Sequence, residues 1–451
     1  MKNINAQYID YQSENIIVLL IFCLYVIFWY LQVAYRVPFL GSIRAEFIYA
    51  AALGIIVLCK GGVLRFSTPI LKYVIMLFFC IVIQIPLSFD TQTSWTIFID
   101  RVLKFSAMAL FIGTFVKSPR DLIFFLSAFL LACLKMGQEG FLGKITGGMI
   151  WENQGVMRLH GSTPLYAHPN SFSGMALGTL PFIYYLYPIA SRWVKWLLIV
   201  LLAFSINIII FTGSRTGYVA FIMLIIIAFM KSKKKKKYIM YAIIIGLLSI
   251  PFIPKDYVER FQSIFSGQDK EGHSTELRKE ILKDALQIFL DHPLGIGVAA
   301  FPAVRKAKYG RSQDTHNLYL EVATNLGIQG FIVFILFIYH MIKLLNGITR
   351  GAYKQLQDIS KIIERKVEDS EEMHRIDMHL SDLKLIHAVS SAVVLFLVVR
   401  LALGFFGMDF YEIYWWFALG LTTALYHMQL TTQRKTQFFM NELKTGYNRG
   451  A

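Results

Sequence analysis

Residues 216–253 read TGYVAFIMLIIIAFMKSKKKKKYIMYAIIIGLLSIPFI, which is two apolar runs joined by a short lysine-rich loop. With its flanking residues, each run can cross a lipid bilayer as a helix. Short loops rich in Lys and Arg stay on the cytoplasmic side of a membrane. The loop 231–237 therefore orients the whole chain, and its place between two spans argues against nucleic-acid binding.

The rest of the chain repeats this apolar pattern. The chain has 451 residues, 56% of them hydrophobic, and a mean hydropathy of +0.52. We predict an all-α polytopic membrane protein with about twelve transmembrane helices and a large, partly helical outer loop. The predicted helices lie near 15–33, 46–59, 70–88, 97–116, 121–138, 168–188, 194–211, 216–231, 238–253, 326–345, 385–403 and 409–428.

The orientation of the lysine loop then divides the chain into regions. Transmembrane helices 1–9 lie in 1–253, and a periplasmic loop domain follows in 254–325. Transmembrane helix 10 lies in 326–345, and a charged cytoplasmic helical segment follows in 346–384. Transmembrane helices 11 and 12 lie in 385–428, and a basic cytoplasmic tail follows in 429–451. Both termini are then cytoplasmic. Arg36 and Arg44 are exceptions, because they place positive charge in the first outer loop.

The predicted loop 254–325 is too long for a turn and should fold. Apolar residues recur at helical spacing over 275–290, and the polar face of this helix carries Arg278. Asp291-His292-Pro293 ends the helix, and a second helical run follows His316 and ends at Gly327.

A polar turn, Thr212-Gly213-Ser214-Arg215-Thr216-Gly217, separates two apolar runs at the predicted outer boundary. One interpretation is a tight helical hairpin whose Arg215 extends to the membrane surface. The other is an anion site, since the glycines leave backbone N–H groups accessible and a helix begins here with its positive dipole end. A guanidinium group fits phosphate bidentately, which suits the second interpretation.

Together, these segments resemble the O-antigen ligase and O-antigen polymerase superfamily. The resemblance rests on Gly-Ser-Arg-Thr-Gly at 213–217, on Arg278, and on Asp-His-Pro-Leu-Gly-Ile-Gly at 291–297. It also rests on His-Asn-Leu-Tyr-Leu-Glu at 316–321 and on His-Pro-Asn at 168–170. The match covers roughly 155–345, and the flanking spans agree by hydropathy.

The resemblance implies a GT-C-like glycan transferase of the bacterial inner membrane with its active site facing the periplasm. Such proteins take a glycan from an undecaprenyl diphosphate carrier and transfer it, with inversion, to an acceptor hydroxyl. The acceptor is lipid A-core for a ligase and another carrier-linked glycan for a polymerase. The functional arginines of the family correspond to Arg215 and Arg278, and its histidine corresponds to His316.

The chemistry of these residue types agrees with that implication. A diphosphate leaving group gains negative charge as the glycosidic bond breaks, and Arg215 and Arg278 can stabilise it. His316 can accept the proton of the acceptor hydroxyl near neutral pH, or it can only orient a substrate. Asn317 is better suited to capping than to reacting. No metal-ligand spacing and no cofactor signature is found, so we predict neither.

Four other residues are candidates for a lesser role. Arg101 and Lys104 lie one helical turn apart and either extend the diphosphate site or are neutralised, one of them by Asp100. His168 either lines the cavity or begins a helix, for which Asn170 is the predicted cap. Arg400 is expected to pair with Asp409 or Glu412, in a structural role.

A transporter remains the alternative of a different class, since twelve spans with both ends inside also suit transport. The candidate polar residues gather at the outer end of the spans rather than at the midplane, which favours the transferase. The sequence does not separate ligase from polymerase, although we favour the ligase. Membrane lipids and the lipid-linked glycan are the expected partners.

Overall fold

The computed structural model describes residues 14–62, 67–153, 156–231, 255–266, 274–363 and 370–447. Most of these residues are helical, because a helix satisfies its backbone hydrogen bonds within one apolar segment. The helices are α1 (Ile16–Tyr30), α2 (Val33–Arg36), α3 (Pro38–Ser42), α4 (Ala45–Cys59), α5 (Leu71–Ile83), α6 (Thr91–Ile97), a π-helical turn (Phe98–Leu103), α7 (Lys104–Phe115), α8 (Pro119–Thr146), a 3-10 turn (Pro164–Tyr166), α9 (Pro169–Leu186), α10 (Arg192–Phe211), α11 (Arg215–Lys231), α12 (Lys255–Ser266), α13 (Ser274–Asp291), α14 (Phe301–Tyr309), α15 (Leu318–Ile363), α16 (Ser370–Leu403) and α17 (Tyr414–Tyr447).

Four helices in the described part of the chain, α8, α10, α15 and α16, are long and apolar enough to cross a membrane. Four shorter apolar helices, α1, α4, α5 and α11, accompany them. The prediction of an integral membrane protein built of helices is confirmed to this extent. The count of twelve spans stays a prediction, and the span near 238–253 and most of the lysine loop lie outside the described residues.

Several predicted segments have different boundaries in the structure. The helix predicted at 121–138 is α8, which is longer at both ends. The segment 346–384 contains extensions of α15 and α16 rather than separate helices. The helix predicted at 409–428 begins at Tyr414, because residues 404–413 form a loop that includes two glycines.

One element departs from the all-α prediction. Strands β1 (Ile150–Asn153) and β2 (Val156–Leu159) pair antiparallel, with Ile150 opposite Leu159. Helical geometry is unfavourable here because Gly147, Gly148 and Gly155 interrupt the segment. The hairpin leads the chain from the end of α8 to the start of α9.

The centre of the bundle is a cluster of aromatic rings contributed by four helices. Phe129 of α8 and Phe417 of α17 have ring centroids 4.8 Å apart, and Phe396 of α16 lies 5.9 Å from Phe417. Phe182 of α9 completes the cluster at 5.7 Å from Phe129. These spacings are favourable for aromatic pairs, so the cluster packs the four helices against one another.

The segment that contains α13 and α14 has a small apolar core of its own. Its buried side chains are Ile281, Ala285, Ile288, Ile296, Ala300, Phe301 and Val304. Arg305 is fully buried beside this core and donates to Asp284 Oδ2 at 2.9 Å. A buried ion pair of this kind fixes α14 against α13, since either charge alone would be costly.

Arg36, one of the two charge exceptions in the first predicted outer loop, is paired. Its guanidinium group donates to both carboxylate oxygens of Glu139, each at 2.8 Å. Ser162 also donates to Glu139, so this ion pair joins the start of the chain to the segment that precedes α9. The ion pair gives Arg36 a structural role that its position in the sequence does not reveal.

Candidate active site

The polar turn Thr212–Gly217 connects α10 to α11. Gly213 has φ = +56°, a backbone conformation that glycine adopts without strain, and this lets the chain reverse within two residues. The Ser214 hydroxyl accepts a hydrogen bond from the Gly217 N–H at 3.1 Å, which is the geometry of a helix N-cap. Arg215 is therefore the first residue of α11, at the positive end of the helix dipole.

Gly217 allows α11 to approach α9 closely. A Cβ atom added at Gly217 would overlap the hydroxyl oxygen of Ser173, a fully buried residue of α9. This close approach explains why the turn contains a second glycine, and it places Arg215 beside the N-terminal end of α9.

Arg158, on strand β2, joins the polar turn to the start of α9. It is 3% exposed, and its Nε donates to the Thr212 carbonyl oxygen at 2.8 Å. Its Nη2 donates to Asn170 Oδ1, also at 2.8 Å. This residue is not among those predicted from the sequence. The only available signal was Gly155, which favours a turn between two short runs.

His168, rather than Asn170, is the N-cap of α9, which corrects the sequence-based assignment. Its Nδ1 accepts a hydrogen bond from the Asn170 N–H at 3.2 Å. Asn170 is not the cap because its side-chain oxygen accepts from Arg158. Since Nδ1 is the acceptor, the ring proton of neutral His168 lies on Nε2, which can donate to a ligand.

His316 lies in a tight loop immediately before α15. Its φ is +48°, a left-handed conformation that a residue with a side chain adopts only when its surroundings hold it. Asn317 caps the helix, since its Oδ1 accepts from the N–H groups of Tyr319 and Leu320, each at 3.0 Å. Its Nδ2 donates to the Phe405 carbonyl at 3.2 Å, so the loop is anchored on the segment after α16.

Electrostatic interactions bring His168 together with residues far from it in the sequence. His168 is exposed at the surface, yet partial desolvation first, and then the charges of Arg158, His316 and Arg278, lower its pKa. A charge shifts a neighbour's pKa appreciably only within roughly 10 Å. Three segments of the chain therefore share one site, which contains two histidines and two arginines.

The same environment acts on His316. Its pKa is lowered by burial and then by the charges of Arg278 and Arg305. The ring is therefore neutral at pH 7 and can accept a proton. The residue is half-buried, and its side chain makes no hydrogen bond to any other described residue.

Arg278 projects from the first turns of α13 and is half-buried, whereas the next residue, Lys279, is exposed. Its charge acts on both histidines, so the α13–α14 segment contributes a cation to the site. Arg215 lies next to the turn that Arg158 binds.

The other two basic candidates pair with carboxylates. Arg101 forms an ion pair with Glu412, and Lys104 forms one with Glu46 at 2.6 Å. No contact among the described residues joins either side chain to His168 or His316. A role for them at the diphosphate stays a prediction.

The Asp-His-Pro-Leu-Gly-Ile-Gly segment, residues 291–297, packs against α15. The N–H groups of Ile296 and Gly297 donate to the carbonyls of Thr324 and Asn325 at 3.0 and 3.1 Å. Gly295 and Gly297 have φ = +100° and +110°, and an added Cβ at either would overlap a neighbouring segment. These glycines therefore serve packing.

Comparison with known families identifies a segment that holds part of this site. Residues 198–335 match the family model described as O-antigen ligase. This match confirms, over these residues, the resemblance to the O-antigen ligase and polymerase superfamily. The matched O-antigen ligase domain contains Arg215, Arg278 and His316, whereas Arg158 and His168 precede it. No curated protein matches the chain.

Proposed function

We propose that this protein is an O-antigen ligase-type glycosyltransferase. It moves a glycan from undecaprenyl diphosphate to a hydroxyl of lipid A-core on the periplasmic face of the inner membrane. The observation that supports this most strongly is the proximity of His168 and Arg158 to His316 and Arg278, two residues of the segment that matches the O-antigen ligase family.

The cationic part of the site suits a diphosphate. Arg278 acts on both histidines, and Arg215 stands at the N-terminus of α11, where the helix dipole also favours an anion. A guanidinium group binds phosphate oxygens bidentately, and a partly dry site strengthens that interaction. Arg215 and Arg278 therefore stabilise the charge that develops on the leaving group. Arg158 holds the turn before Arg215, and Nε2–H of His168 is placed to donate to a phosphate oxygen.

His316 supplies the base. The acceptor hydroxyl attacks the anomeric carbon, and its proton passes to a ring nitrogen of neutral His316. The new C–O bond forms as the bond to the diphosphate oxygen breaks, and the electron pair leaves on undecaprenyl diphosphate. A single displacement of this kind inverts the anomeric configuration. The free energy comes from the activated donor, so no nucleotide is consumed.

Location and orientation follow from the sequence and belong to the same proposal. If the lysine-rich loop 231–237 is cytoplasmic, the start of α11 lies at the opposite face of the membrane. The site would then open to the periplasm, where the donor and the lipid acceptor meet.

The test is transfer by the purified protein in lipid nanodiscs, given undecaprenyl diphosphate-linked glycan and lipid A-core. We expect glycan on lipid A-core and release of undecaprenyl diphosphate. Arg278→Ala should reduce the rate by about 10²-fold or more, as loss of one charge-stabilising donor does. Lys279→Ala is the matched control, because the neighbouring side chain is exposed.

The other outcomes are equally distinct. Chains that lengthen on the carrier while lipid A-core is ignored would make the protein a polymerase. If the protein neither transfers glycan nor releases the carrier with either acceptor, that result would contradict the transferase and favour the transporter. Equal rates for Arg278→Ala and Lys279→Ala would contradict the assignment of the diphosphate site.

A further inference from the structure

Arg400 is an arginine buried among apolar helices, near the end of α16. It is 2% exposed, and its guanidinium carbon lies 3.2 Å from the centroid of the Tyr414 ring. Its Nη2 donates to the Gly174 carbonyl oxygen of α9 at 2.8 Å, and its Nη1 lies 3.8 Å from Asp409. A buried guanidinium group is costly to maintain, so its directed contacts point to a role.

The neighbouring helix is shaped to receive this side chain. Gly174 and Gly178 lie one turn apart on α9, and a Cβ atom at these positions would lie 3.2 and 3.0 Å from Nη1 and Nη2 of Arg400. Such distances are tighter than ordinary packing allows. The absence of both side chains therefore brings the Gly174 carbonyl within reach of Arg400.

Arg400 is also the start of a chain of hydrogen bonds that leads to the His316 loop. Its carbonyl accepts from the Gly404 N–H at 2.9 Å, and the Gly404 carbonyl accepts from the Leu318 N–H at 2.7 Å. Leu318 is the first residue of α15, two positions after His316. The Phe405 carbonyl accepts from Asn317, so the loop is held at two adjacent points.

The side chain of Arg400 contacts α9, the helix that His168 caps. Gly174 lies six residues after His168 on α9, which is about 9 Å along the helix axis. The side chain of Arg400 thus binds the helix that His168 caps, and its backbone carbonyl binds the turn that supports His316.

We propose that Arg400 is a positioning residue for the transfer reaction, which sets the spacing between His168 and His316. This inference rests on the proposed function, in which His168 contacts the donor and His316 the acceptor. Without the guanidinium group, the hydrogen bond to the Gly174 carbonyl is lost, so the N-terminal part of α9 can shift against α16 and the two substrates are held at the wrong separation. A misplacement of about 1 Å costs up to about 10²-fold in rate.

The kinetic test compares Arg400→Met, Arg400→Lys and Arg350→Met in nanodiscs. Arg350 is exposed on the far part of α15, so its variant controls for loss of a positive charge. We expect Arg400→Met to lower kcat by about 10- to 100-fold, with KM for the donor within about twofold. Lys can still donate to Gly174, so Arg400→Lys should recover part of kcat. Gly174→Ala, which crowds Nη1 without removing the charge, should lower kcat in the same way.

Hydrogen–deuterium exchange tests the same inference without relying on activity. In Arg400→Met, we expect faster exchange in peptides over 311–325 and 400–410, and unchanged exchange over 276–290. If exchange rises there but no variant of the protein transfers glycan, the positioning link stands and the proposed function fails. Unchanged exchange in both peptides, or a rise in donor KM with kcat intact, would overturn the inference.

Discussion

The Nε of Arg158 donates a 2.8 Å hydrogen bond to the carbonyl oxygen of Thr212, across 54 residues of sequence. This bond attaches a β-hairpin to the turn from which Arg215 begins α11. Because Nη2 of the same group binds Asn170, one side chain fixes two of the segments that carry the candidate site.

We therefore expect Arg158→Lys to be poorly active. The ammonium group of lysine donates from a single nitrogen atom, so it cannot reach both acceptor oxygens as the guanidinium group does. The rate of glycan transfer should fall by about 10- to 100-fold, while the amount of inserted protein is unchanged. Arg192→Lys, at an exposed position that begins α10, is the matched control. Wild-type rates in Arg158→Lys would show that the bridge does not shape the site.

The close approach of Gly217 to Ser173 predicts that a second substitution restores the activity and stability that the first one lowers. Gly217→Ala should lower both activity and thermal stability in nanodiscs, because the new methyl group overlaps the Ser173 hydroxyl. Removing that hydroxyl with Ser173→Gly in the same protein should restore both. Gly347→Ala is the control, since nothing lies within 4 Å of a Cβ added there. A double variant as impaired as Gly217→Ala alone would contradict the steric explanation.

Asn317 should act through its cap and its anchor rather than through chemistry. Asn317→Asp keeps an oxygen for the N–H groups of Tyr319 and Leu320, whereas Asn317→Ala loses it. Loss of a cap costs about 0.5–2 kcal/mol. We expect Ala to lower kcat and the unfolding temperature more than Asp does, with both measured on the same preparation. An inactive Asp variant that unfolds like wild type would instead give Asn317 a direct role in the reaction.

The pH dependence of transfer follows from the environment of His316. A general base acts in its neutral form, so the rate falls as the pH drops through the pKa of His316. Burial and the charge of Arg278 lower this pKa, so the acid limb of kcat/KM should have its midpoint below 6.5.

Two substitutions separate the charge of Arg278 from its bidentate geometry. Arg278→Gln removes the charge and should move the acid limb of the residual activity to higher pH. Arg278→Lys keeps the charge and should leave the limb in place, although both variants lose rate. An acid limb that is the same in Arg278→Gln as in wild type would show that the limb does not report His316.

The sequence predicts that the chain is a membrane protein built of helices, and it predicts where several apolar helices and the polar turn lie, because these signals are local. Apolar runs locate the long helix α10 and the shorter helix α11, and the glycines of 213–217 mark the turn between them. The start of α11 at Arg215 and the end of α13 at Asp291 also follow from capping and dipole arguments.

What the sequence does not reveal depends on contacts between distant segments. Arg158 stands in a short strand whose hairpin pattern is weak, and its importance lies in its partners, Thr212 and Asn170. Because Arg158 donates to the side-chain oxygen of Asn170, His168 rather than Asn170 caps α9. Gly295 and Gly297 belong to the family pattern, yet their role is the close packing of two backbones.

The most direct test of the account is the initial rate of glycan transfer to lipid A-core by His316→Gln, compared with His292→Gln. His292 is exposed and lies outside the cluster formed by His168, His316 and Arg278. The account predicts that His316→Gln loses about 10²-fold or more in rate, as loss of a general base does, while His292→Gln transfers at the wild-type rate. Transfer by His316→Gln at a rate near wild type would contradict the assignment of His316 as the base.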